Sequence, residues 1–304
     1  MPVETVDRLA AELADEAARV SSDVDDFFAR LLAPPGDGRD RLFEAMRHAA
    51  IGGGKRLRPL LTVAASRLFA IDGERALRVG AAIEAIHVYS LIHDDLPCMD
   101  DDDLRRGKPT VHRAFGEAAA ILAGDSLHAL AFEILGDSAT HEDPFIRSDL
   151  IRELARAAGP SGMAGGQMLD LVAEGQPLDL AAITRLQQLK TGALIEYAVE
   201  APCIMARVPP EARTPYRGYA RNIGLAFQIA DDLIDHSGHE EQAGKRTGKD
   251  ANAGKATFVS VLGPERARQQ ARFLVEQAVE HLAGHGGEAN LLRAIARFAI
   301  ERNH

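Results

Sequence analysis

The stretch from Glu74 to Leu96 constrains the fold more than any other part of the sequence. It contains no proline, and Gly80 is the one residue in it that disfavours a helix. Its apolar residues recur in a broad stripe at helical spacing, at Val79, Ile83, Ile86, Leu91 and Ile92. The spacing predicts a long buried helix that follows a capping Asp72 and carries the chain to Asp94.

The rest of the chain also favours helix over strand. Aromatic residues make up only 5% of the sequence and Trp is absent, whereas Ala and Leu abound. Apolar spacing and breaker residues predict further helices over 5–32, Arg41–Ala50, Pro59–Phe69, Ala114–Leu135, Phe145–Ala158, Gly162–Ala173, Leu180–Ala206, Pro210–Asp235, Glu265–Ala283 and Glu288–Arg302.

Domain organisation follows from the connections. No repeat, low-complexity tract or change of composition marks a linker. We therefore expect a single all-α domain over residues 1–304, a bundle of roughly ten or more helices around a central cavity. The stretch from His236 to Lys255 is rich in Gly and Lys and lacks periodicity, which predicts a binding loop or lid.

Charge and cysteine content exclude several classes of protein. The net charge of −10 argues against a general nucleic-acid binder, which needs a clustered basic excess. Two cysteines, Cys98 and Cys203, cannot build a disulfide framework and indicate a reducing compartment. The N-terminus lacks the pattern of a signal peptide, and no window has about 18 uninterrupted apolar residues. We expect a cytoplasmic protein without membrane insertion.

Six aspartates lie within the ten residues 94–103, and Arg105 and Arg106 follow. This cluster comes at the C-terminal end of the predicted long helix, where the helix dipole disfavours anions by roughly 0.3–1 kcal/mol per charge. Two like charges about 4 Å apart repel by ~4 kcal/mol at an effective dielectric near 20. A bound cation there is more plausible than bare carboxylates, although one solvated acidic helix end would need no ligand.

A second acidic group occurs at Asp231, Asp232 and Asp235, within a predicted helix. Asp231 and Asp235 are four residues apart, so both carboxylates leave the same helix face. Carboxylates dominate both groups, which favours Mg²⁺ together with substrate phosphates over zinc, although His93, Cys98 and His236 lie beside them in sequence. With two such clusters, each ending an apolar helix, a purely solvated role becomes a minor alternative.

Basic residues that could bind an anionic substrate occur near the same motifs. They are Lys55, Arg58, Arg105, Arg106, Lys190, Lys245 and Lys255. His87 precedes Asp94 by seven residues, which places it two turns away on the same helix face. Each of these residues taken singly is more often a surface or structural residue. Lys55 does not belong to a Walker A loop, because Ala49 and Arg56 replace the required glycine and Ser/Thr.

Together these segments resemble those of the trans-isoprenyl diphosphate synthases, most closely the bacterial farnesyl diphosphate synthases. The resemblance spans nearly the whole chain and depends on five segments in order, Gly53–Pro59, Leu91–Gly107, Gly165–Asp170, Lys190–Gly192 and Phe227–Asp235. It implies condensation of isopentenyl diphosphate with dimethylallyl and geranyl diphosphates, with farnesyl diphosphate as the expected product. It also implies a homodimer, as is usual in that family.

The resemblance further implies roles for individual residues. Three Mg²⁺ ions, with Mn²⁺ as an alternative, would be held by Asp94, Asp100 and Asp231, with Asp95 and Asp235 as secondary ligands. The allylic diphosphate would contact Arg105, Lys190 and Lys245, with Lys255 as a further substrate residue. Isopentenyl diphosphate would contact Lys55, Arg58, His87 and Arg106. Thr191 and Gln228 would line the region where a carbocation forms, with Gln167 and Asp170 supporting it.

Product length is expected to depend on Tyr89, with its neighbour Ser90. Tyr89 precedes Asp94 by five residues, so it projects about one to two turns below the expected metals, where a growing tail would meet it. In the family an aromatic residue here, with the Pro97-Cys98 insertion, goes with bacterial farnesyl synthases. An ordinary core role for Tyr89 stays open.

Several other functions remain as alternatives. A geranylgeranyl diphosphate synthase differs only in product length. A class I terpene cyclase shares the fold, but it carries a different second metal motif and would have no use for an isopentenyl site. An inactive partner subunit of a synthase would be expected to have lost aspartates, and a non-enzymatic acidic scaffold would release no diphosphate.

Overall fold

The structure is a computed structural model, and it describes residues 3–173, 175–176, 178–237 and 257–301. Its first half contains helices α1 Val3–Leu31, α2 Asp40–Ala50, α3 Leu57–Ser66, α4 Gly73–Asp94, α5 Val111–Phe115, α6 Glu117–Gly136 and α7 Pro144–Ala158. Its second half contains α8 Met163–Val172, α9 Leu180–Gln187, α10 Ala193–Met205, α11 Thr214–Ser237, α12 Phe258–Leu262, α13 Pro264–His281 and α14 Asn290–Glu301. The all-α prediction is confirmed.

Helix α4 is the predicted long helix, and it lies in the middle of the fold. Asp72 caps it by accepting hydrogen bonds from the N–H groups of Glu74 and Arg75, at 3.0 and 3.1 Å. α4 packs against α3 and α6. Gly80 permits the crossing with α3, because a Cβ there would lie 3.0 Å from Pro59 Cα. The helix breaker noted in the sequence therefore serves a close helix–helix contact.

Helix α6 is the most apolar long helix of the described chain. By length and composition it could cross a membrane, but a core helix of a soluble protein passes the same test. One side of it packs against α4, α2 and α7. Ile121 and Leu122 on this helix are 46% and 55% exposed.

Three local features differ from the sequence-based prediction. The predicted helix over Leu180–Ala206 is divided by a π-helical turn, Gln188–Gly192, between α9 and α10. A short antiparallel hairpin pairs Leu104–Arg105 with Lys108–Pro109, directly after the first acidic cluster. The predicted start of a helix at Ala114 is wrong, because α5 ends at Phe115 and Gly116, with φ of 86°, separates it from α6.

Candidate active site

The first acidic cluster folds back on the end of α4. The Asp100 N–H donates a 2.8 Å hydrogen bond to the Asp94 carbonyl oxygen, so a turn brings the two residues together. Burial raises the pKa of the Asp94 carboxyl to about 6; the neighbouring Lys190 and Arg105 oppose this, while Asp100 and Asp95 reinforce it. A half-buried carboxylate beside other carboxylates is a site where a divalent cation would relieve the repulsion.

Asp95 is engaged differently from Asp94. It is 3% exposed, and its Oδ1 accepts a 2.9 Å hydrogen bond from Arg105 Nε and a second from Arg105 Nη2. Arg105 also contacts Asp102, at 3.4 Å. The Asp95–Arg105 pair therefore holds the hairpin against the end of α4 and sets the position of the guanidinium.

The π-helical turn places Lys190 opposite Asp94. Its Nζ donates a 2.6 Å hydrogen bond to Asp170 on α8. The turn packs against α8 at Gly166, where a Cβ would lie 2.5 Å from Lys190 Cα. A glycine is thus required for this backbone contact. The sequence did not predict the π turn or this role of Gly166, although π turns often occur at functional sites.

The second acidic group lies on α11, which also packs against the π turn. Its members differ in exposure: Asp231 is exposed, Asp235 is half-buried and Asp232 is 6% exposed. Asp232 accepts hydrogen bonds from Gln228 Nε2 and from the Phe258 N–H, both at 2.9 Å. Asp232 therefore joins α11 to α12 and orients the Gln228 amide.

The acidic residues suit a hard cation in their chemistry. Carboxylate oxygens with some solvent access are the ligands that Mg²⁺ takes, together with substrate phosphates. Within the described residues no group of three or more His, Cys, Asp or Glu side chains is positioned to hold an ion by itself. The carboxylate donors therefore fit a hard divalent cation.

A cluster of cationic residues lies along α4, toward its N-terminus from Asp94. Burial lowers the pKa of Arg58, with Glu84 opposing the shift and Arg106 reinforcing it. Burial also lowers the pKa of Arg106, and the charges of Arg56 and Arg105 lower it further. The charges of Glu84 and Asp95 oppose this shift. Arg58 Nε is buried and has no hydrogen-bond partner in the described part of the chain. Neighbouring guanidinium groups thus lower the pKa of both arginines, so an anionic ligand between them would be favourable.

His87 lies inside this cationic cluster. Burial and then the charges of Arg58, Arg106, Arg56 and Arg105 hold its pKa well below 6.5, the ordinary histidine value. The ring is therefore neutral near pH 7, and it can offer an N–H donor without adding charge.

A pH-dependent stability follows from His87. Because folding lowers the pKa of His87, its ring takes up a proton in the unfolded chain at a higher pH than in the folded protein. The free energy of unfolding therefore falls as the pH drops below about 6.5. We expect His87→Gln to gain stability relative to wild type, by at most about 1.4 kcal/mol per pH unit below that value. Urea unfolding between about pH 7.5 and 5.5 measures it. Exposed His236 supplies the control, His236→Gln, and an unchanged His87→Gln difference across this range would contradict the prediction.

Arg105 and Arg106 diverge because of the hairpin turn. Arg106 and Gly107 both have positive φ, 54° and 76°, which reverses the chain between the two short strands. Arg105 turns to Asp95, whereas the Arg106 guanidinium lies against Gly54, where a Cβ would be 2.5 Å from Arg106 Cζ. The adjacent arginines thus belong to different parts of the site.

Tyr89 lies beside α6 rather than within a uniform aliphatic core. Its ring packs edge-on against His128 and His93, with centroid distances of 4.9 and 5.8 Å, and His128 in turn contacts Phe132 at 5.2 Å. Burial and then the Asp94 charge raise the pKa of the Tyr89 hydroxyl. Ser90 instead donates a 2.9 Å hydrogen bond to the His87 carbonyl oxygen. Sequence reasoning missed His128 and Phe132, which are distant in sequence.

The remaining predicted residues are distributed as follows. Thr191 Oγ1, in the π turn, donates a 3.4 Å hydrogen bond to Gln187 Oε1 at the end of α9. Lys55 is exposed near the end of the loop that precedes α3. Lys245 and Lys255 lie outside the described residues. The structure thus brings Asp94, Asp100, Arg105 and Lys190 together, with Arg58, His87 and Arg106 in a neighbouring group.

Known proteins share this fold and these motifs. Farnesyl diphosphate synthase of Escherichia coli (strain K12) is 46% identical over 280 residues, which cover 90% of this chain and 94% of that protein. Geranylgeranyl pyrophosphate synthase 11, chloroplastic, of Arabidopsis thaliana is 43% identical over 268 residues, covering 86% of this chain and 74% of that protein.

A solved structure and a family model agree with these relatives. The apo crystal structure of a FPP/GFPP synthase from Zymomonas mobilis is 57% identical, with a TM-score of 0.88 over 96% of this chain and 99% of that one. The sequence model of the polyprenyl synthetase family matches residues 39–293. With the two acidic groups and the cationic cluster in place, the chain belongs to the polyprenyl synthetase family.

Proposed function

We propose that this protein joins isopentenyl diphosphate head to tail to dimethylallyl and then geranyl diphosphate, giving (2E,6E)-farnesyl diphosphate and diphosphate. One observation carries the proposal: arginines surround His87 on α4, and a group of carboxylates surrounds Asp94 at the end of the same helix. The two residues are seven positions apart, or about 10 Å along the helix. Two diphosphates can therefore bind side by side in different ways, one on side chains and one through metal ions.

The acceptor site is assigned to the cationic cluster. Arg58, which is half-buried, and Arg106, which is exposed, offer guanidinium groups, and neutral His87 adds an N–H donor. Guanidinium groups bind diphosphate oxygens in pairs, which orients as well as anchors the substrate. We add Lys55 as a point charge at the mouth of this site. The double bond of isopentenyl diphosphate is thereby held toward the carboxylate group.

The donor site is assigned to the two acidic groups with Arg105, Lys190, and Lys245 and Lys255, the last two of which lie outside the described residues. Asp94, Asp100 and Asp231 would hold up to three Mg²⁺ or Mn²⁺ ions, with Asp95 and Asp235 in support. Such ions, when bound, neutralise charge on the departing diphosphate. Lys190, held by Asp170, supplies a further positive charge beside Asp94.

The chemistry requires no protein nucleophile. The C1–O bond of the allylic substrate breaks, and its electron pair leaves with the diphosphate. The double bond of isopentenyl diphosphate then attacks C1 through C4, and a proton from C2 passes to the released diphosphate. Thr191 and the Gln228 amide, which Asp232 orients, present oxygen atoms suited to stabilising the cation. The surrounding apolar helices must exclude water, which would otherwise quench it.

A direct assay tests this function. The purified protein is incubated with isopentenyl and dimethylallyl diphosphates and Mg²⁺, and products are separated by chromatography. Release of diphosphate with a C15 product supports the proposal. A geranylgeranyl synthase would give C20, a terpene cyclase would leave isopentenyl diphosphate unused, and an inactive subunit or scaffold would release nothing.

We propose that Tyr89 ends the product channel at C15. Its ring packs edge-on against His128 and His93, so it cannot turn aside without losing these contacts. We expect Tyr89→Ala to open the channel and shift the product to C20 or longer, measured by chromatography. Tyr216→Ala, which removes a half-buried tyrosine packed on Phe69 and His285, serves as the control. An unchanged C15 product with normal turnover in Tyr89→Ala would refute this role.

We propose that the protein forms a homodimer through α6. The exposed Ile121 and Leu122 extend an apolar helix whose other side is already packed. Light scattering should give twice the mass of the chain, and Leu122→Lys should weaken self-association about 100-fold. Phe273→Lys on α13, at a 52% exposed apolar residue, should leave the mass unchanged. A monomeric wild type would contradict the proposal.

A cytoplasmic location completes the proposal. Both cysteines are free thiols, Cys98 exposed and Cys203 buried, which suits a reducing compartment. The small isoprenoid diphosphates are the proposed binding partners, and no nucleic acid or membrane insertion is included.

A further inference from the structure

The loop between α2 and α3 has an unusual backbone. Gly52 and Gly54 have positive φ, 73° and 88°, and so does Arg56, at 45°. A left-handed conformation is costly for a residue with a side chain, so surrounding contacts must hold it. This loop carries Lys55 and leads into the first turn of α3, which carries Arg58. Its shape therefore sets the position of two proposed isopentenyl diphosphate ligands.

Asp25 on α1 binds both ends of this loop with one carboxylate. Its Oδ2 accepts a 3.0 Å hydrogen bond from the Gly52 N–H, and its Oδ1 accepts a 2.6 Å bond from Arg56 Nη2. Asp25 itself is separated from them by 27 and 31 residues in sequence. It is partly buried, with 26% of its side chain exposed, whereas the Arg56 side chain is fully buried.

Arg56 extends the connection to α2 and α4. Its Nη1 donates a 2.9 Å hydrogen bond to Glu84, and its Nη2 also donates to the Ala50 carbonyl oxygen. Glu84 precedes His87 by one helical turn, and its charge also acts on Arg58 and Arg106. The bridge from Asp25 through Arg56 to Glu84 thus joins α1, the loop and the helix that carries His87.

The loop in turn supports Arg106. The Arg106 guanidinium lies so close to Gly54 that a Cβ there would be 2.5 Å from its Cζ. A shift of the loop backbone would therefore move Arg106 as well as Lys55 and Arg58. A buried ion pair contributes little net stability but can select one arrangement of the residues around it. The ion pairs of Arg56 with Asp25 and Glu84 hold the loop that carries Lys55 and contacts Arg106.

We propose that Asp25 is a positioning residue for the isopentenyl diphosphate site, acting through Gly52 and Arg56 without touching the substrate. The inference rests on the function proposed above. It predicts that loss of Asp25 weakens the binding of isopentenyl diphosphate but not the binding of the allylic diphosphate. Asp94, Lys190 and Asp170 form the proposed donor site through contacts that do not include Asp25.

Steady-state kinetics of Asp25→Asn tests this. We expect KM for isopentenyl diphosphate to rise about tenfold, the effect of one lost charged hydrogen bond. KM for geranyl diphosphate and kcat should change less than about twofold. The control is Asp26→Asn, which neutralises the adjacent, exposed aspartate and should match wild type in all three constants. Circular dichroism and thermal unfolding monitor folding.

Asp25→Glu covers the case in which the asparagine variant fails to fold. It keeps the charge but lengthens the side chain, and we expect KM for isopentenyl diphosphate to rise about threefold. A KM for isopentenyl diphosphate equal to that of Asp26→Asn, or an equal rise for both substrates, would overturn the inference alone. A wild-type protein that does not consume isopentenyl diphosphate would instead overturn the proposed function.

Discussion

Asp94→Ala and Asp231→Ala should each lower kcat by about 1,000-fold while leaving the helices folded. Asp94 is half-buried, with Asp100 and Lys190 near it, and Asp231 is exposed on α11. Each is proposed to hold a cation that stabilises the departing diphosphate, so removing one ligand affects the transition state more than substrate binding. Diphosphate release at saturating substrate measures kcat, and circular dichroism measures helix content.

Asp101→Asn is the matched control for the acidic cluster. Asp101 is exposed and has φ of 49°, a conformation that asparagine tolerates, so the change removes one charge without straining the turn. It should keep most activity. A near-normal kcat in both Asp94→Ala and Asp231→Ala would show that the metals bind elsewhere.

The stability of Asp94→Ala should show whether Asp94 serves catalysis or folding. Its folded-state pKa, about 6, lies above the ordinary value of 3.8. The ionised carboxylate is therefore unfavourable in the folded protein without bound metal. The protonated carboxyl stabilises the fold below about pH 4, and this stabilisation is lost as the pH rises through 6. Metal-free Asp94→Ala at neutral pH should accordingly be at least as stable as wild type. A clear loss of stability would show that Asp94 is structural.

Gly166→Ala should lower kcat by about 100-fold, although Gly166 contacts no substrate in the proposed site. The added Cβ would lie 2.5 Å from Lys190 Cα and closer still to Lys190 N. Backbone atoms cannot rotate away, so α8 and the π turn must separate. Lys190 would then move relative to Asp94 and Asp170, and overpacking would cost about 1–3 kcal/mol of stability.

Gly224→Ala is the control for this substitution. Gly224 lies on α11 and also faces the π turn, but a Cβ there would meet Gly192 Cα at 3.7 Å, an ordinary contact. It should retain near-normal kcat and thermal stability. If Gly166→Ala behaved in the same way, the π turn would have to adjust more easily than its backbone packing indicates.

The sequence predicted those parts of the site that depend on local spacing. The path of α4 to Asp94 follows from apolar residues three and four positions apart, and Asp231 and Asp235 share a face for the same reason. The pairing of Asp94 with Asp100 also arises within a short turn. Such features are decided by neighbours along the chain, so one sequence was enough to locate them.

Contacts between distant segments could not be predicted in this way. The continuous helical pattern of Leu180–Ala206 conceals the π turn, because the turn depends on how closely α8 approaches at Gly166. The edge-on contact of Tyr89 with His128 likewise depends on the packing of α4 against α6. No local period encodes either contact.

By itself the sequence determined the helices, the two acidic groups and the identity of most residues proposed to bind diphosphate, because helical periodicity and charge spacing are local properties. Only the tertiary structure decided how these residues are held. It paired Asp95 with Arg105, set Lys190 against Asp94 and Asp170, and joined Asp25 to Arg56 across 31 residues. Those arrangements exist because buried charges and close backbone contacts are satisfied only when separate helices meet.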